Sequence, residues 1–289
     1  MKYTYYPGCS LKAGSASYDI STRAVCKTLG VELVELKDWN CCGATAYTSI
    51  TELQSFSLCS RNLAIAQKEG RDLVAPCSAC YTTMRKTNTY LREYPEVKEK
   101  VSKALAAGGL SYDKEVKVRH LAEVLTTDEI LKTLEDKVKV KLTGLKVASY
   151  NGCQLVRPKD GFDDPEFPTS LDLLVKTLGG EAVSYPMSSR CCGGSFIISH
   201  PEITLGHIHK LLRCAVDNGA QCIITACPLC QLNLDAYQGA VNSKFKTNFN
   251  IPILYFTQIM GIALGYKAKE LGVGQGLVSA KKVLSTYSS

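Results

Sequence analysis

Four absences narrow the role of this 289-residue sequence before any motif is read. No apolar run is long enough to cross a bilayer: the most apolar stretch, Ile251 to Tyr266, is broken by Pro252, Thr257 and Gln258, whereas a membrane helix needs about 20 apolar residues. Direct membrane insertion is therefore not expected, and an anchor would be a separate polypeptide. No arginine-rich run accompanies the formal net charge of +7, so the mild basic excess fits an anionic small molecule or an acidic partner and not nucleic acid. The opening residues Met1 to Pro7 hold no apolar signal core, and a cytoplasmic location is expected. Finally, no residues form a conventional acid, base or nucleophile arrangement, which is consistent with redox chemistry carried by a cofactor. His207 and His209 stand two apart on a predicted helix and so point to different sides, as surface or partner contacts and not co-ligands.

What the chain has in quantity is cysteine, fourteen residues in all. Disulfide scaffolds of that density are short and loop-rich. This chain instead has ordinary globular composition, 45% hydrophobic and 21% charged, and length for two domains.

Ten of the cysteines follow a repeated plan. A lone Cys9 precedes the adjacent pair Cys41-Cys42, and 34 residues later come Cys77 and Cys80 as Cys-x-x-Cys. The second half repeats this with Cys153, Cys191-Cys192, and Cys227 with Cys230 after the same 34-residue spacer. Cys41, Cys42, Cys77 and Cys80 map onto Cys191, Cys192, Cys227 and Cys230 at a constant offset of 150, the mark of an internal duplication. The other four, Cys26, Cys59, Cys214 and Cys222, fall on helix or strand positions where a small apolar side chain suffices.

The surrounding pattern alternates strand and helix. Strands are predicted at 2–7, 31–36 and 72–76, helices at 16–29, 52–68 and from 77 to about 93, with an extra strand at 115–120 before a helix from Leu121. The second half predicts strands at 146–150, 182–186, 222–226 and 251–255, and helices at 169–178, 202–217, after Cys227 and from Phe256. Every cysteine of the repeat thus lies in a strand-to-helix turn, where open parallel sheets gather their ligand sites. The expected fold is α/β and internally duplicated, with an N-terminal domain and its helical connection at 1–142 and a C-terminal domain at 143–289. Gly265 onward reads as a tail that docks on a partner or stays mobile.

Three chemistries compete for these thiols. A structural zinc site takes four ligands and leaves one thiol over in each half; zinc in the N-terminal half alone stays open. A thioredoxin-like dithiol explains only Cys77/Cys80 or Cys227/Cys230. Iron–sulfur ligation, which needs several converging thiolates, uses the set best.

The duplicated pattern resembles the CCG, or cysteine-rich, domain of the heterodisulfide reductase B subunit, with a spacer one residue shorter than that family's. Tyr5-Tyr6-Pro7-Gly8-Cys9-Ser10-Leu11, Gly152-Cys153-Gln154-Leu155-Val156-Arg157-Pro158, Arg119-His120 and Tyr255-Phe256-Thr257-Gln258-Ile259-Met260-Gly261 look like the same family. The resemblance implies two Rossmann-like domains with clusters at the carboxyl ends of parallel strands. It implies one non-cubane [4Fe-4S] cluster on Cys9, Cys41, Cys42, Cys77 and Cys80, and a second on Cys153, Cys191, Cys192, Cys227 and Cys230. The two would face each other across the disulfide of coenzyme M and coenzyme B, the substrate reduced in methanogenesis.

Implied partners are a ferredoxin-like C subunit with cubane [4Fe-4S] clusters, a flavin-containing A subunit, and a hydrogenase or formate dehydrogenase. Such a substrate is anionic, and Lys12, Arg157, Lys159 and Arg190 lie near the cysteines in sequence as candidate contacts. The CCG pattern is shared by electron-transfer subunits of hydroxy-acid oxidases and dehydrogenases, and bacterial homologues acting on another disulfide are a further alternative. The absence of any Cys-x2-Cys-x2-Cys-x3-Cys run favours the B subunit over those longer fused chains.

Overall fold

A computed structural model describes the chain except residues 45–47, 49, 159, 288 and 289. Two four-stranded sheets carry the two halves, both wholly parallel. The first has the order β2-β1-β3-β4, from Lys2–Tyr5 (β1), Glu32–Glu35 (β2), Leu73–Ala75 (β3) and Val118–His120 (β4). The second repeats it as β6-β5-β7-β8, from Lys146–Tyr150 (β5), Glu181–Ala182 (β6), Cys222–Thr225 (β7) and Ile253–Tyr255 (β8). Strands β3 and β7 are buried at every position, as apolar runs between flanking helices must be. The α/β duplication read from the sequence is therefore present, including the extra strands.

The strand order decides where a site can form. From β1 the chain crosses to β2 on one side, then returns to β3 on the other, so the connections leaving the carboxyl ends of the paired strands β1 and β3 run in opposite directions. A crevice opens at such a switch point. Cys9 follows β1 and Cys77 follows β3; Cys153 and Cys227 follow β5 and β7 in the same way.

Two expectations are corrected. The strand predicted at 182–186 shrinks to Glu181–Ala182. Val183 N–H still donates to Val147 O at 2.9 Å, but the chain then turns, with Ser188 N–H on Tyr185 O at 2.9 Å. Pro186 has no N–H to continue a ladder. The segment after Gly265, expected as a tail, packs on its own chain: Leu271, Ala280 and Leu284 are buried, Asp235 accepts from Leu277 and Val278 N–H at 2.6 and 3.2 Å, and Tyr287 Oη donates to Thr143 O at 2.9 Å.

The halves are not separated by solvent. One hydrophobic core contains residues of both, from Tyr18 and Leu63 to Leu174 and Phe256. Tyr18 of the helix Ala16–Thr28 stacks on Tyr255 at the end of β8, with ring centroids 4.2 Å apart and planes 3° from parallel. Ser21 Oγ and Thr257 Oγ1 lie 2.7 Å apart beside them. Across the joint Phe162 lies parallel to His120 at the end of β4, at 6.3 Å and 5°. Tyr18 and Phe162 are 144 residues apart, the same offset as Cys9 and Cys153, so the stacked pairs are two copies of one device.

His120 is fully buried in this joint. Its Nδ1 accepts from Ala122 N–H at 3.0 Å, capping the helix Leu121–Leu125, so the ring proton sits on Nε2, near Ser78 Oγ and the carbonyls of Pro76 and Ala226. Burial pushes its pKa down to about 4, against partial compensation from those carbonyls. The unfolded chain takes up a proton near pH 6.5 that folded His120 refuses until about pH 4. Stability should therefore fall as pH drops through that window, by up to about 3 kcal/mol. Denaturant titrations between pH 7 and 4 should show this slope, and His120→Gln should flatten it.

Candidate functional site

Each turn that carries a cysteine is shaped by the residues around it. Cys9 lies in the short helix Gly8–Leu11, and Gly8 enters it at φ +72°. Gly152 does the same before Cys153 at φ +66°. Both conformations suit glycine, and there is a second reason for it: a Cβ on Gly8 would stand 3.2 Å from Cys80 Sγ, and one on Gly152 3.3 Å from Cys230 Sγ. The missing side chains leave room for sulfur.

The adjacent pairs are pinned by buried tyrosines. Tyr6 Oη donates to Asn40 O at 2.7 Å, and Tyr150 Oη donates to Arg190 O at 2.6 Å, each at the residue before the pair. Asn62 Nδ2 adds a bond to Asn40 O at 2.9 Å, and Asn233 Nδ2 donates to Cys192 O at 2.7 Å. After each pair a glycine turns left-handed, Gly43 at φ +78° and Gly193 at φ +76°. Its N–H is thereby aimed back at the first sulfur of the pair, at 3.5 Å on Cys41 and 3.3 Å on Cys191.

The third pair of turns opens helices. Cys77 and Cys227 are the residues before Ser78–Glu93 and Pro228–Ala236, so two positive helix ends face the thiols, which favours thiolate.

This scaffold brings sulfurs of the repeat together in pairs. In the N-terminal half Cys41 Sγ lies 3.8 Å from Cys9 Sγ, and Cys42 Sγ 3.3 Å from Cys80 Sγ. In the other half Cys192 and Cys230 sulfurs are 3.7 Å apart, and Cys153 hydrogen-bonds Cys191. Cys77 and Cys227 are close enough to shift each other's protonation, so the two groups approach each other at the joint between the halves. Cys9, Cys41 and Cys191 are exposed and Cys153 is half-buried, while Cys42, Cys77, Cys80, Cys192, Cys227 and Cys230 are buried. Each group therefore has a closed inner side and an open edge.

Within the pairs protons are shared. The bond from Cys153 holds the Cys191 thiol at about 6, against desolvation and with help from Gly193 N–H and His207. Cys41 is pushed up chiefly by donating to Cys42, which is held well below the ordinary thiol value. Cys227 is held low by Cys230 and Cys77, and Cys77 is raised in turn by donating to Cys227. Among the described residues, no three His, Cys, Asp or Glu side chains close around a single ion position; the sulfurs meet two by two. A cavity of about 450 Å³ between Leu91, Val101 and Leu105 contains none of these thiols.

Of the cysteines assigned to the core, Cys26, Cys59 and Cys222 are buried, while Cys214 is only partly so. Among the candidate anion contacts, Lys12 is held by Glu35 at 2.8 Å. Arg157 and Arg190 are exposed with no ion pair among the described residues, and Lys159 lies outside the described residues. His207 and His209 do point apart: His207 Nδ1 lies 3.2 Å from Cys191 O, and His209 stacks on Phe245 at 4.3 Å. Neither the tyrosine clamps nor the place of His207 beside Cys191 is evident from sequence pattern alone. The 144-residue offset relating Tyr6, Gly8 and Cys9 to Tyr150, Gly152 and Cys153 is the signal that marks the clamps.

A chain with paired cysteine-bearing α/β halves defines a class, and comparison identifies it. The CCG cysteine-rich domain family matches residues 3–85 and 147–235. The chain belongs to this family, within the branch that includes the heterodisulfide reductase B subunit. It is 32% identical to the 8-methylmenaquinol:fumarate reductase membrane anchor subunit of Wolinella succinogenes, over 98% of this chain and 99% of that one. It is also 32% identical to the B subunit of the ferredoxin/F(420)H(2)-dependent CoB-CoM heterodisulfide reductase of Methanosarcina acetivorans, over 96% and 94%. A hypothetical protein of Helicobacter pylori shares the fold, with TM-score 0.77 at 17% identity over 96% of this chain and 52% of that one. Among the described residues no helix is long and apolar enough to cross a membrane.

The clamp makes a local prediction. Tyr150→Phe leaves Arg190 O without that donor and should cost about 1–3 kcal/mol, read from denaturant melts against wild type. An unchanged midpoint would mean the Cys191 turn holds itself.

Proposed function

We propose that the chain is the iron–sulfur redox subunit of a multi-subunit oxidoreductase of the heterodisulfide reductase type. In this reading each half, 1–142 and 143–289, holds one [4Fe-4S] cluster of non-cubane form on its five cysteines. The observation that carries the reading is the repeat-related pairing of sulfurs, Cys41 with Cys9 at 3.8 Å and Cys42 with Cys80 at 3.3 Å in one half and Cys192 with Cys230 at 3.7 Å in the other, with Cys77 and Cys227 facing each other between them. The donor set fits the cofactor: all sulfur, paired at 3.3 to 3.8 Å, backed by helix N-termini, with glycine where a Cβ would intrude. One zinc per half would leave a thiol unused.

When bound, such clusters supply one-electron steps and iron with affinity for thiolate sulfur. The chain's own residues fix the ligands. Tyr6 and Tyr150 hold the paired-cysteine turns, Gly43 and Gly193 N–H groups offset negative charge on Cys41 and Cys191, and metal binding releases the protons shared within the pairs. The proposed substrate is the disulfide of coenzymes M and B or a related disulfide, reduced to two thiols at the open edge formed by Cys9, Cys41, Cys153 and Cys191. Electrons would come from a ferredoxin-like partner and, behind it, a flavin protein. The similarity to the Wolinella fumarate reductase subunit over the full length of both chains favours one second reading, electron transfer between a quinol and a partner enzyme with no substrate bound here.

Iron, sulfide and zinc analysis of anaerobically purified protein tests the cofactor. About eight irons per chain is expected, and Cys42→Ser or Cys192→Ser should each lose about half of them while abolishing disulfide reduction. About four irons with one zinc would confine the cluster to one half and end the two-site reading. A paramagnetic resonance signal that requires added thiol under oxidising conditions supports the disulfide substrate; a full iron complement without it turns the assignment to electron transfer.

A further inference from the structure

The paired sulfurs differ in access. Cys9 and Cys41 are both exposed, and their sulfurs lie 3.8 Å apart. Cys42 and Cys80 are closer, at 3.3 Å, but only 2% and 5% exposed; Cys192 and Cys230, at 3.7 Å, are 4% and 7% exposed. Thiol–disulfide exchange needs a thiolate to attack a disulfide sulfur directly, so an oxidant from solution must reach the protein sulfur. Of these three pairs, Cys9 and Cys41 meet that condition. In the other half the corresponding thiols are less open, with Cys153 half-buried beside exposed Cys191.

The backbone around the pair lets it close. Cys41 stands in an irregular turn and Cys9 in the four-residue helix Gly8–Leu11, entered through a left-handed glycine. The contact that Gly43 N–H makes with Cys41 Sγ is long, at 3.5 Å. Side-chain rotation on a loop and a single helical turn can bring the two sulfurs to a bond of about 2 Å.

We propose that Cys9 and Cys41 form a redox gate on cofactor loading: in the metal-free chain a small-molecule disulfide oxidises them to a protein disulfide, and the N-terminal site accepts its iron only after that bond is reduced. One protein thiolate attacks the small disulfide, breaks its S–S bond, releases one small thiol and forms a mixed disulfide. The second protein thiolate then attacks the bonded protein sulfur and releases the other small thiol. Two electrons pass from Cys9 and Cys41 to the small disulfide, and the two thiol protons leave on its products. The bond itself rests on geometry; its effect on loading rests on the reading above that the five N-terminal cysteines hold one cluster. With the pair bonded, Cys42, Cys77 and Cys80 remain, fewer sulfurs than a four-iron cluster takes. Metal binding needs free thiolates, so a loaded site keeps the gate open.

The test incubates the full chain, stripped of metal under anaerobic conditions, with glutathione disulfide, blocks the remaining thiols with N-ethylmaleimide and maps links by peptide mass spectrometry. The first link should join Cys9 to Cys41, lower the mass by two hydrogens and disappear with dithiothreitol. Cobalt(II), whose thiolate charge-transfer band needs no sulfide that would itself reduce the link, then reads the gate. The oxidised chain should lose about half the band of the reduced chain, and reduction should restore it. Free Cys9 and Cys41 thiols after the incubation, or Cys42–Cys80 linking first, would overturn the gate. A linked chain with the full cobalt band would overturn it too, and would remove the pair from the ligand set. A reduced chain that binds neither cobalt nor iron would bring down the cluster reading and the loading step with it, while the mapped link would stand as a modification site.

Discussion

Everything at the site depends on a seam of hydrogen bonds at Pro76–Cys77 and Ala226–Cys227, where two parallel sheets bring their carboxyl ends together. Tyr18 Oη donates to Pro76 O at 3.0 Å from within the buried core, and Ser78 Oγ crosses to Ala226 O at 3.1 Å. Both carbonyls belong to residues that have left the ladder, and in a dry interior an unpaired carbonyl is costly. Pro76 O is satisfied within its own half, while Ala226 O is satisfied across the joint, so the N-terminal half completes the turn of the other. The stacked pairs Tyr18–Tyr255 and His120–Phe162 then fix the angle at which the halves meet. The thiol groups approach because the residue after Cys77 is bonded to the carbonyl before Cys227.

That arrangement explains the graded burial of the sulfurs. Cys77 and Cys227 lie at the seam, Cys42, Cys80, Cys192 and Cys230 behind the tyrosine-clamped turns, and Cys9, Cys41 and Cys191 reach solvent. A site wholly enclosed could pass electrons but admit no reactant. A site wholly open would leave reduced sulfur to stray oxidants. With Cys77, Cys80, Cys227 and Cys230 at helix N-termini and the outer thiols at an edge, the proposed function would have both requirements met on one scaffold.

How much of this is legible in the sequence follows from what kind of signal each feature leaves. The strand-to-helix turns carrying Cys9, Cys77, Cys153 and Cys227 are legible because apolar runs such as Cys222–Thr225 end abruptly in a turn, and the duplication supplies an internal check. Strand β6 looks longer in the sequence than in the fold because Val183 and Tyr185 are strand-type residues, while Pro186 and the turn at Ser188 decide the backbone. The end of the chain reads as a tail because Gly272, Gly274 and Gly276 suggest mobility. In the fold, glycine at 272 lets the chain pass Ser17, where a Cβ would meet that side chain at 2.6 Å. The role of His207 is hidden because nothing local marks it; its meaning comes from a helix laid beside the Cys191 turn.

Comparing the halves position by position separates two kinds of constraint. Tyr6 and Tyr150, Gly8 and Gly152, Gly43 and Gly193 keep both identity and role, and Ser55 and Thr204, one place out of step at the offset of 150, do the same work, each donating to the glycine carbonyl after the paired cysteines at 3.4 and 3.2 Å. All of these lie inside, where a changed atom meets a packed neighbour. Arg190, His207 and Arg157 are exposed, while their counterparts Asn40 and Ser57 are half-buried and Asn40 is tied to Tyr6, Arg61 and Asn62. Two copies of one fold can drift in charge at the rim while the sulfur cradle stays fixed. A duplicated site is then not condemned to be a symmetric one: the interior keeps the sulfur cradle in common, and the rim is free to differ.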